Sequence, residues 1–284
     1  MLDENKCKAN IRFMVEKARR NKVLLRPHFK THQSLEIGQW FRDEGVSSAT
    51  VSSLSMAKYF ADGGWNDITV AFPVNILEID LIKDLAKSIK LNLLVESDES
   101  IAFLAKHISN PVNVFIKIDV GTHRTGVSSY NTSAIDHLIK LIQAADKLQF
   151  KGFISHAGHS YNCRKKEQII DVHEDSLDQM VALKRHFVKK VPDLIISVGD
   201  TPTCSVGQDF GHADEIRPGN FVFYDLTQCN IGSCTPDRIA IALACPVVAL
   251  HKEWNEILIQ GGAIHFAKDY LRDKDGVPYF GQVA

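Results

Sequence analysis

Lys30 lies in a short basic cluster that follows an apolar run. The cluster reads Arg26-Pro27-His28-Phe29-Lys30-Thr31-His32. A lysine at the end of a buried strand loses hydration and feels neighbouring positive charge, and both effects lower its pKa toward the range in which the free amine is a nucleophile. We therefore regard Lys30 as a candidate Schiff-base lysine, with a solvated loop lysine as the alternative.

Later segments also place polar side chains or glycines where strands are expected to end. Arg124 follows Asp119 in a glycine-bracketed loop and could bind a phenolate, carboxylate or phosphate oxygen, or could simply pair with Asp119. Small residues and hydroxyls around Gly199 and Thr201 could bind a phosphate through free backbone N–H groups, or could form an ordinary helix start. The remaining segments are His156-Ala157-Gly158-His159-Ser160-Tyr161 and Glu215-Ile216-Arg217-Pro218-Gly219-Asn220, with Tyr224 shortly after.

An alternation of strands and helices must position these residues. Apolar or β-branched runs predict eight strands, near 23–27, 49–52, 68–72, 91–95, 112–120, 151–156, 194–198 and 215–217. Segments of helical period lie between them, for example 132–148 and 167–189. Eight βα units are the number in a (β/α)8 TIM barrel, whose chemistry collects at the carboxyl ends of the strands. A doubly wound sheet would favour a glycine-rich turn after the first strand, and Arg26 to His32 contains no glycine.

The pattern changes after about Tyr224. Residues 239–250 and 256–260 read as strands without intervening helices. The sequence thus predicts an α/β barrel over residues 1–226 and a C-terminal, mainly β domain over residues 227–284. Because the β pattern stops abruptly at Ala284, we expect this second domain to be incomplete.

The composition limits the kinds of binding partner that we expect for this protein. A formal net charge of -1 gives no electrostatic reason to expect nucleic acid or an anionic membrane. No apolar stretch is long enough to cross a bilayer and the amino terminus has no apolar signal region, so we predict a cytoplasmic protein. The 6 cysteines are scattered without a CxxC pair and are read as reduced thiols.

The quoted stretches, together with Lys117-Ile118-Asp119-Val120-Gly121 and Thr201-Pro202-Thr203, resemble the fold type III pyridoxal phosphate (PLP) family of alanine racemase-like barrels. The resemblance is closest to the branch that contains D-threonine aldolase and D-serine dehydratase. It implies that Lys30 carries PLP as a Schiff base and that Arg124 faces the phenolic oxygen. Either Tyr161 or Arg217 would approach the ring nitrogen. The other implied cofactor contacts are His28, His156, Gly199, Thr201, Gly219 and Tyr224, of which the last four would hold the phosphate.

The resemblance also implies the activity. We expect a homodimeric PLP-dependent lyase that acts on small D-β-hydroxy amino acids, with aldol cleavage placed narrowly before dehydration. Racemisation would need a second base, for which Tyr270 and Tyr279 are the downstream candidates. The branch uses a divalent metal, zinc or manganese, but its Pro-His-x-Cys motif does not occur in this sequence, so we predict no metal ligand.

Two hypotheses lie outside this class of enzyme. One is a hydrolase whose metal is bound by His28, His32, His156 and His159. The spacing argues mildly against it, because His28 and His32 lie across the predicted end of the first strand, where strand alternation no longer aligns both side chains on one face. The other is a non-catalytic PLP carrier of the same barrel type, which would lack the β domain.

Overall fold

The fold alternates strands and helices over most of the chain. A computed structural model of the protein describes residues 1–262, 264–266, 268–273 and 275–283. The strands are β1 Leu24–Leu25, β2 Ala49–Val51, β3 Asp67–Pro73, β4 Lys90–Val95, β5 Val112–Asp119, β6 Val127–Ser128, β7 Leu148–Ser155, β8 Ile195–Val198, β9 Glu215–Ile216, β10 Val247–His251, β11 Glu256–Ile259, β12 Leu271–Arg272 and β13 Pro278–Tyr279. The helices are α1 Glu4–Asn21, α2 Leu35–Asp43, α3 Leu54–Asp62, α4 Ile79–Ser88, α5 Asp98–His107, α6 Thr132–Gln143, α7 Lys166–Phe187, α8 Thr201–Val206 and α9 Leu226–Asn230.

The central sheet is parallel and runs in the order β1-β9-β8-β7-β5-β4-β3-β2, with β6 paired to β5. Backbone hydrogen bonds also link the two ends of this order. The Phe29 N–H donates to the Thr50 carbonyl at 2.8 Å, and the Thr50 N–H donates to the Pro27 carbonyl at 2.9 Å. All carboxyl ends of the parallel strands therefore share one edge, where side chains from distant parts of the sequence can meet.

Burial explains why the central strands form. All of β4 except its first residue is buried, and so is all of β5 except its last residue. Such continuous apolar runs are typical of parallel strands that are covered on both faces. Several helices begin at serines whose hydroxyls accept a backbone N–H, namely Ser34, Ser53 and Ser97. These caps fix where each helix starts after its strand.

A charged network crosses the sheet interior near the amino ends of the strands. Arg26 is 4% exposed, and its Nε donates to Glu215 Oε2 at 2.9 Å while its Nη1 donates to Asp67 Oδ1 at 2.6 Å. Burial alone would lower the pKa of Arg26, but the two carboxylates outweigh that effect and raise it. The Ser197 hydroxyl donates to Glu215 and accepts from Arg217, so the network continues toward the carboxyl ends.

The structure confirms the alternating α/β architecture and the place of all eight predicted strands. The prediction of a helix through Leu148 was wrong. Helix α6 ends at Gln143, and the turn that follows, with a hydrogen bond from the Leu148 N–H to the Ala145 carbonyl at 3.1 Å, starts β7 three residues before the predicted Lys151. The two-residue strand β6 was missed because it is too short to show a period.

The C-terminal segment differs from its prediction. The predicted strand over 239–250 is shorter, since β10 begins at Val247. Residue Leu2 instead pairs antiparallel with Ile241, which fastens the amino terminus to this segment. Beyond residue 226 the described residues form α9 and two small hairpins, β10–β11 and β12–β13, so a mainly β domain is not supported.

None of the helices in the described ranges combines the length and the apolar character needed to cross a membrane.

Candidate active site

Lys30 lies just beyond β1 on the edge formed by the carboxyl ends of the strands. Its backbone N–H donates to His28 Nδ1 at 3.4 Å, and its side chain is accessible. Partial burial of the amine, followed by repulsion from Arg124, lowers the pKa of Lys30. Both effects are those expected of a nucleophilic lysine, and the positive neighbour comes from a different strand.

The two histidines beside Lys30 have different surroundings. His32 packs against Phe29, with ring centroids 4.6 Å apart, and its Nδ1 accepts from the Ser34 N–H at 3.1 Å. Burial lowers the pKa of His32 to about 4. Burial and the charges of Lys30 and Arg217 hold the pKa of His28 well below its usual value. His32 is therefore a neutral packing residue, whereas His28 is a neutral residue that faces the basic cluster.

Arg124 is held on the loop that follows β5. The alternative in which it pairs with Asp119 is wrong, because the Asp119 carboxylate accepts from His123 Nδ1 at 2.8 Å and from the backbone N–H groups of Gly121 and His123. In the described part of the chain no carboxylate forms a salt bridge with Arg124. Its charge instead lowers the pKa values of Lys30 and Lys117, which places an uncompensated guanidinium beside the candidate nucleophile.

Hydrogen bonds of His156 connect the loops that follow β5, β7 and β8. Its Nδ1 lies 3.1 Å from the Gly199 carbonyl, and its own carbonyl accepts from the Thr122 hydroxyl at 2.8 Å. Thr122 also accepts from the Gly158 N–H at 2.9 Å. Burial lowers the pKa of His156 to about 3, so the imidazole is neutral and donates from Nδ1 to Gly199. Thr122 was not singled out from sequence, because a threonine in a loop carries no signal of its own.

Gly199, Thr201 and Gly219 form a narrow backbone cradle. Gly199 has φ +137, and a Cβ there would lie 2.6 Å from Arg217 N. A Cβ on Gly219 would lie 2.7 Å from the His28 carbonyl oxygen. The Gly219 N–H donates to Thr201 Oγ1 at 3.3 Å. Glycine is thus required at both positions, because the backbone segments approach each other too closely for a side chain.

Two tyrosines and Asp200 support this cradle. The Tyr161 hydroxyl lies 3.4 Å from the Thr201 N–H, and the fully buried Tyr224 hydroxyl lies 3.0 Å from Ser205 Oγ. Asp200, whose role sequence reasoning missed, caps α8 by accepting from the Thr203 N–H at 2.9 Å and also accepts from the Ser160 hydroxyl. An aspartate directly before Thr-Pro was the available signal.

Two buried cations complete the site. Arg217 donates to Ser197 Oγ and to the Ser155 carbonyl, and burial lowers its pKa to about 10. Lys117 on β5 is 7% exposed, and burial followed by repulsion from Arg217 and Arg124 lowers its pKa to about 7. Sequence reasoning gave Lys117 no role, although a lysine inside an apolar strand is an unusual residue that could have signalled one.

The positive charges of the site have no salt-bridge partners among the described residues. Lys30, Lys117, Arg124 and Arg217 converge on one edge of the sheet, where nearby carboxylates only weaken the pKa shifts of the two buried cations. For the buried Lys117 and Arg217 such an arrangement is costly unless an anion compensates it. The site therefore combines an accessible amine with a strong preference for a negatively charged ligand.

The four-histidine metal site receives no support. Among the described residues no group of three or more His, Cys, Asp or Glu side chains is placed to hold an ion. His32 lies in its aromatic cluster and His159 Nδ1 lies 3.4 Å from Thr122 Oγ1. The histidines thus serve packing and loop geometry.

Comparison with known proteins agrees with this fold. The family described as "Alanine racemase, N-terminal domain" matches residues 2–226, and the chain belongs to that family. A D-serine dehydratase of Dictyostelium discoideum is 31% identical over 300 residues, covering 95% of this chain and 74% of the relative. A 3-hydroxy-D-aspartate aldolase of Paracoccus denitrificans is 27% identical, covering 84% and 63%. The solved structure of D-threo-3-hydroxyaspartate dehydratase from Delftia sp. HT23 superposes with a TM-score of 0.89 at 25% identity, covering 98% of this chain and 78% of that one.

Proposed function

We propose that this protein is a PLP-dependent lyase that acts on small D-β-hydroxy amino acids. The observation that carries the proposal is the accessible Lys30 amine, whose pKa is lowered beside the uncompensated charge of Arg124. A lowered pKa increases the share of neutral amine that can attack an aldehyde, and the positive charges nearby suit a phosphate and a substrate carboxylate.

The residues present fit PLP. Gly199 and Gly219 let backbone segments approach closely beside Thr201 at the start of α8, and we propose that this cradle holds the phosphate with Tyr224 supporting α8. Arg124 would face the phenolic oxygen, and either Tyr161 or Arg217 the ring nitrogen. When bound, PLP supplies delocalisation of the negative charge that develops at the substrate Cα.

The chain's own residues would control protons and orientation. Whenever its amine is free, Lys30 could accept the Cα proton of the substrate, because its lowered pKa increases the share of the neutral form. His28 and His156 would remain neutral because burial lowers their pKa values, so they would add no further positive charge beside the substrate. Buried Lys117 would bias the site toward anions while it is protonated.

Dehydration is the reaction that we now place first. The D-serine dehydratase relative is 31% identical over most of both chains, a closer match than the aldolase relative at 27%. This order reverses the narrow preference for aldol cleavage that the motifs alone gave. Aldol cleavage remains the second candidate because of that aldolase relative. Racemisation ranks last, since Tyr270 and Tyr279 belong to the small C-terminal segment and Tyr270 is 50% exposed.

Four further expectations are part of the proposal. The backbone hydrogen bonds of Thr50 with Phe29 and Pro27 support a sheet that closes as a (β/α)8 barrel over residues 1–226, and we expect a separate C-terminal domain over 227–284. Apolar side chains of the β10–β11 hairpin are exposed, Leu250 by 65% and Ile257 by 62%, which supports a homodimer. A cytoplasmic location follows from the composition. A divalent metal is expected from the resemblance alone; the described residues do not fit one, and no step depends on it.

Product analysis tests the reaction class. The protein loaded with PLP is incubated with D-serine, D-threonine and D-threo-3-hydroxyaspartate, with and without divalent metal. We expect a 2-oxo acid and ammonia from at least one D-substrate and none from its L-enantiomer, and Lys30→Ala serves as the blank. Glycine plus an aldehyde would shift the assignment to aldol cleavage. Turnover by the Lys30→Ala variant would contradict the whole proposal.

A further inference from the structure

Lys17 on α1 is a buried lysine that the site described above does not use. It is 1% exposed, and its Nζ donates to the carbonyls of Cys204 at 3.1 Å, Ser205 at 2.7 Å and Gly207 at 2.8 Å. An ammonium group has three protons, so every donor of Lys17 is used. A charge this deeply buried persists only where its hydrogen bonds are satisfied, which makes the arrangement specific.

The three acceptors lie at one end of α8. Cys204 and Ser205 are in the last turn of that helix, and Gly207 follows it. The last carbonyls of a helix carry partial negative charge and lack partners within the helix, so a cation there is favourable. The opposite end of α8 begins at Thr201, the residue that contacts Gly219 and Tyr161 in the cradle.

Helix α8 is so short that the position of its last turn determines the position of its first. It contains 6 residues, or less than two turns, and all of them are buried. Asp200 fixes the first turn and Lys17 fixes the last. A loss of the Lys17 contacts would therefore let Thr201 shift relative to Gly199 and Gly219.

We propose that Lys17 is a positioning residue for the phosphate of the cofactor, acting through α8 rather than by contact. The proposal rests on the proposed function, because the cradle has this role only if PLP binds there. It predicts a specific defect. Loss of Lys17 should weaken the contribution of the phosphate to binding without weakening the reaction of Lys30 with the aldehyde.

The charges around Lys17 give a second way to test it. Burial lowers the pKa of Lys17 to about 8. The Cys204 thiol on α8 opposes this shift, while Arg20 on α1, Arg238 from the turn at 236–238 and Lys166 at the start of α7 reinforce it. The ammonium is thus lost as pH rises through about 8, and one of its three donors is lost with it.

The first experiment compares PLP with pyridoxal, which has the aldehyde but no phosphate. The Kd of each is measured by absorbance titration of the full chain in wild type, Lys17→Met, Lys17→Arg and the exposed-lysine control Lys22→Met. We expect PLP to bind Lys17→Met about tenfold more weakly, with pyridoxal changed less than about twofold, since a tenfold change corresponds to the loss of roughly one charged hydrogen bond. Lys17→Arg should recover part of the difference, and Lys22→Met should match wild type.

Equal weakening of PLP and pyridoxal in Lys17→Met, or no weakening of either, would overturn the inference. If Lys17→Met does not fold, the pH dependence of PLP and pyridoxal binding tests the inference instead. The ratio of pyridoxal Kd to PLP Kd should fall between pH 7 and 9 in wild type and stay flat in Lys17→Arg, whose guanidinium remains charged. A flat ratio in wild type would overturn the role of Lys17 while leaving the proposed function intact. A wild type that binds neither compound at Lys30 would overturn both.

Discussion

Two buried arginines in the same sheet interior have opposite electrostatic surroundings. Arg26, directly after β1, forms salt bridges with Glu215 at 2.9 Å and Asp67 at 2.6 Å, which begin β9 and β3, and its pKa is raised. Arg217, near the carboxyl ends, donates to a hydroxyl and a carbonyl, and its pKa is lowered to about 10 by burial. Around Arg26, whose charge stabilises the fold, the chain itself supplies the negative counter-charges. Arg217 forms no salt bridge with any described residue, as expected where a ligand brings the anion.

The largest expected effect comes from removing the nucleophile of the uncompensated region. Lys30→Ala should reduce lyase activity by about 1,000-fold or more, because Lys117, the other lysine described at the site, is buried. Its Tm should stay close to that of wild type, since the Lys30 side chain makes no hydrogen bond in the described structure. Lys58→Ala, on the exposed face of α3, is the matched control. Lyase activity that survives in Lys30→Ala would show that catalysis does not depend on this region.

A substitution in the region where Arg26 is paired with carboxylates should instead lower stability. Glu215→Gln removes one of the two counter-charges of Arg26 in a site where both groups are buried, so we expect a loss of about 3 kcal/mol in the free energy of unfolding. Urea denaturation measures it. Asp62→Asn, which breaks the exposed pair with Lys58, should cost less than about 1 kcal/mol. Equal costs for the two variants would show that burial does not distinguish these charges.

Supplying the missing anion should stabilise the carboxyl-end region. PLP at about 100 times its Kd should raise the free energy of unfolding by about 2.7 kcal/mol, because it binds only the folded chain. Arg124→Gln should reduce the stabilisation measured at the same PLP concentration, since an uncompensated guanidinium is lost. Sodium chloride at the same ionic strength is the control. Stabilisation by chloride equal to that by PLP would indicate general screening instead of a built site.

The smallest effect is the pH dependence caused by His156. An unfolded histidine takes up a proton as pH falls through about 6.5, whereas the folded His156 stays neutral down to about 3, so the proton favours unfolding at low pH. Between pH 7.5 and 5 the wild type should lose up to about 2 kcal/mol more than His156→Asn. Asparagine keeps a donor for the Gly199 carbonyl and does not titrate. Calorimetry at the two pH values measures the difference, and parallel losses would contradict a buried neutral imidazole.

Local patterns were enough to predict the strands of the parallel sheet and to suggest several candidate site residues. Apolar runs revealed the strands because parallel strands are covered on both faces. Lys30, Arg124, Gly199 and Gly219 could be proposed as one group because each follows a strand, and the structure brings those strand ends to one edge. What this group binds was suggested by resemblance and remains a proposal.

Long-range side-chain pairing could not be predicted. Arg26 and Glu215 are 189 positions apart, and nothing in either segment marks the other as its partner. Burial within β5 lowers the pKa of Lys117 to about 7, and repulsion from Arg217, which follows a different strand, adds to that effect. Lys17 reads as one more charged residue of an amphipathic helix until α8 is placed against it.

The most direct test of the account is borohydride reduction of the protein after incubation with PLP, followed by peptide mapping. Borohydride converts a Schiff base into a stable pyridoxyl adduct and marks the amine that formed it. We predict a single major adduct on Lys30, which is lost in Lys30→Ala and kept in Lys58→Ala. An unmodified Lys30, or adducts spread over exposed lysines, would contradict the claim that the uncompensated region is a cofactor site.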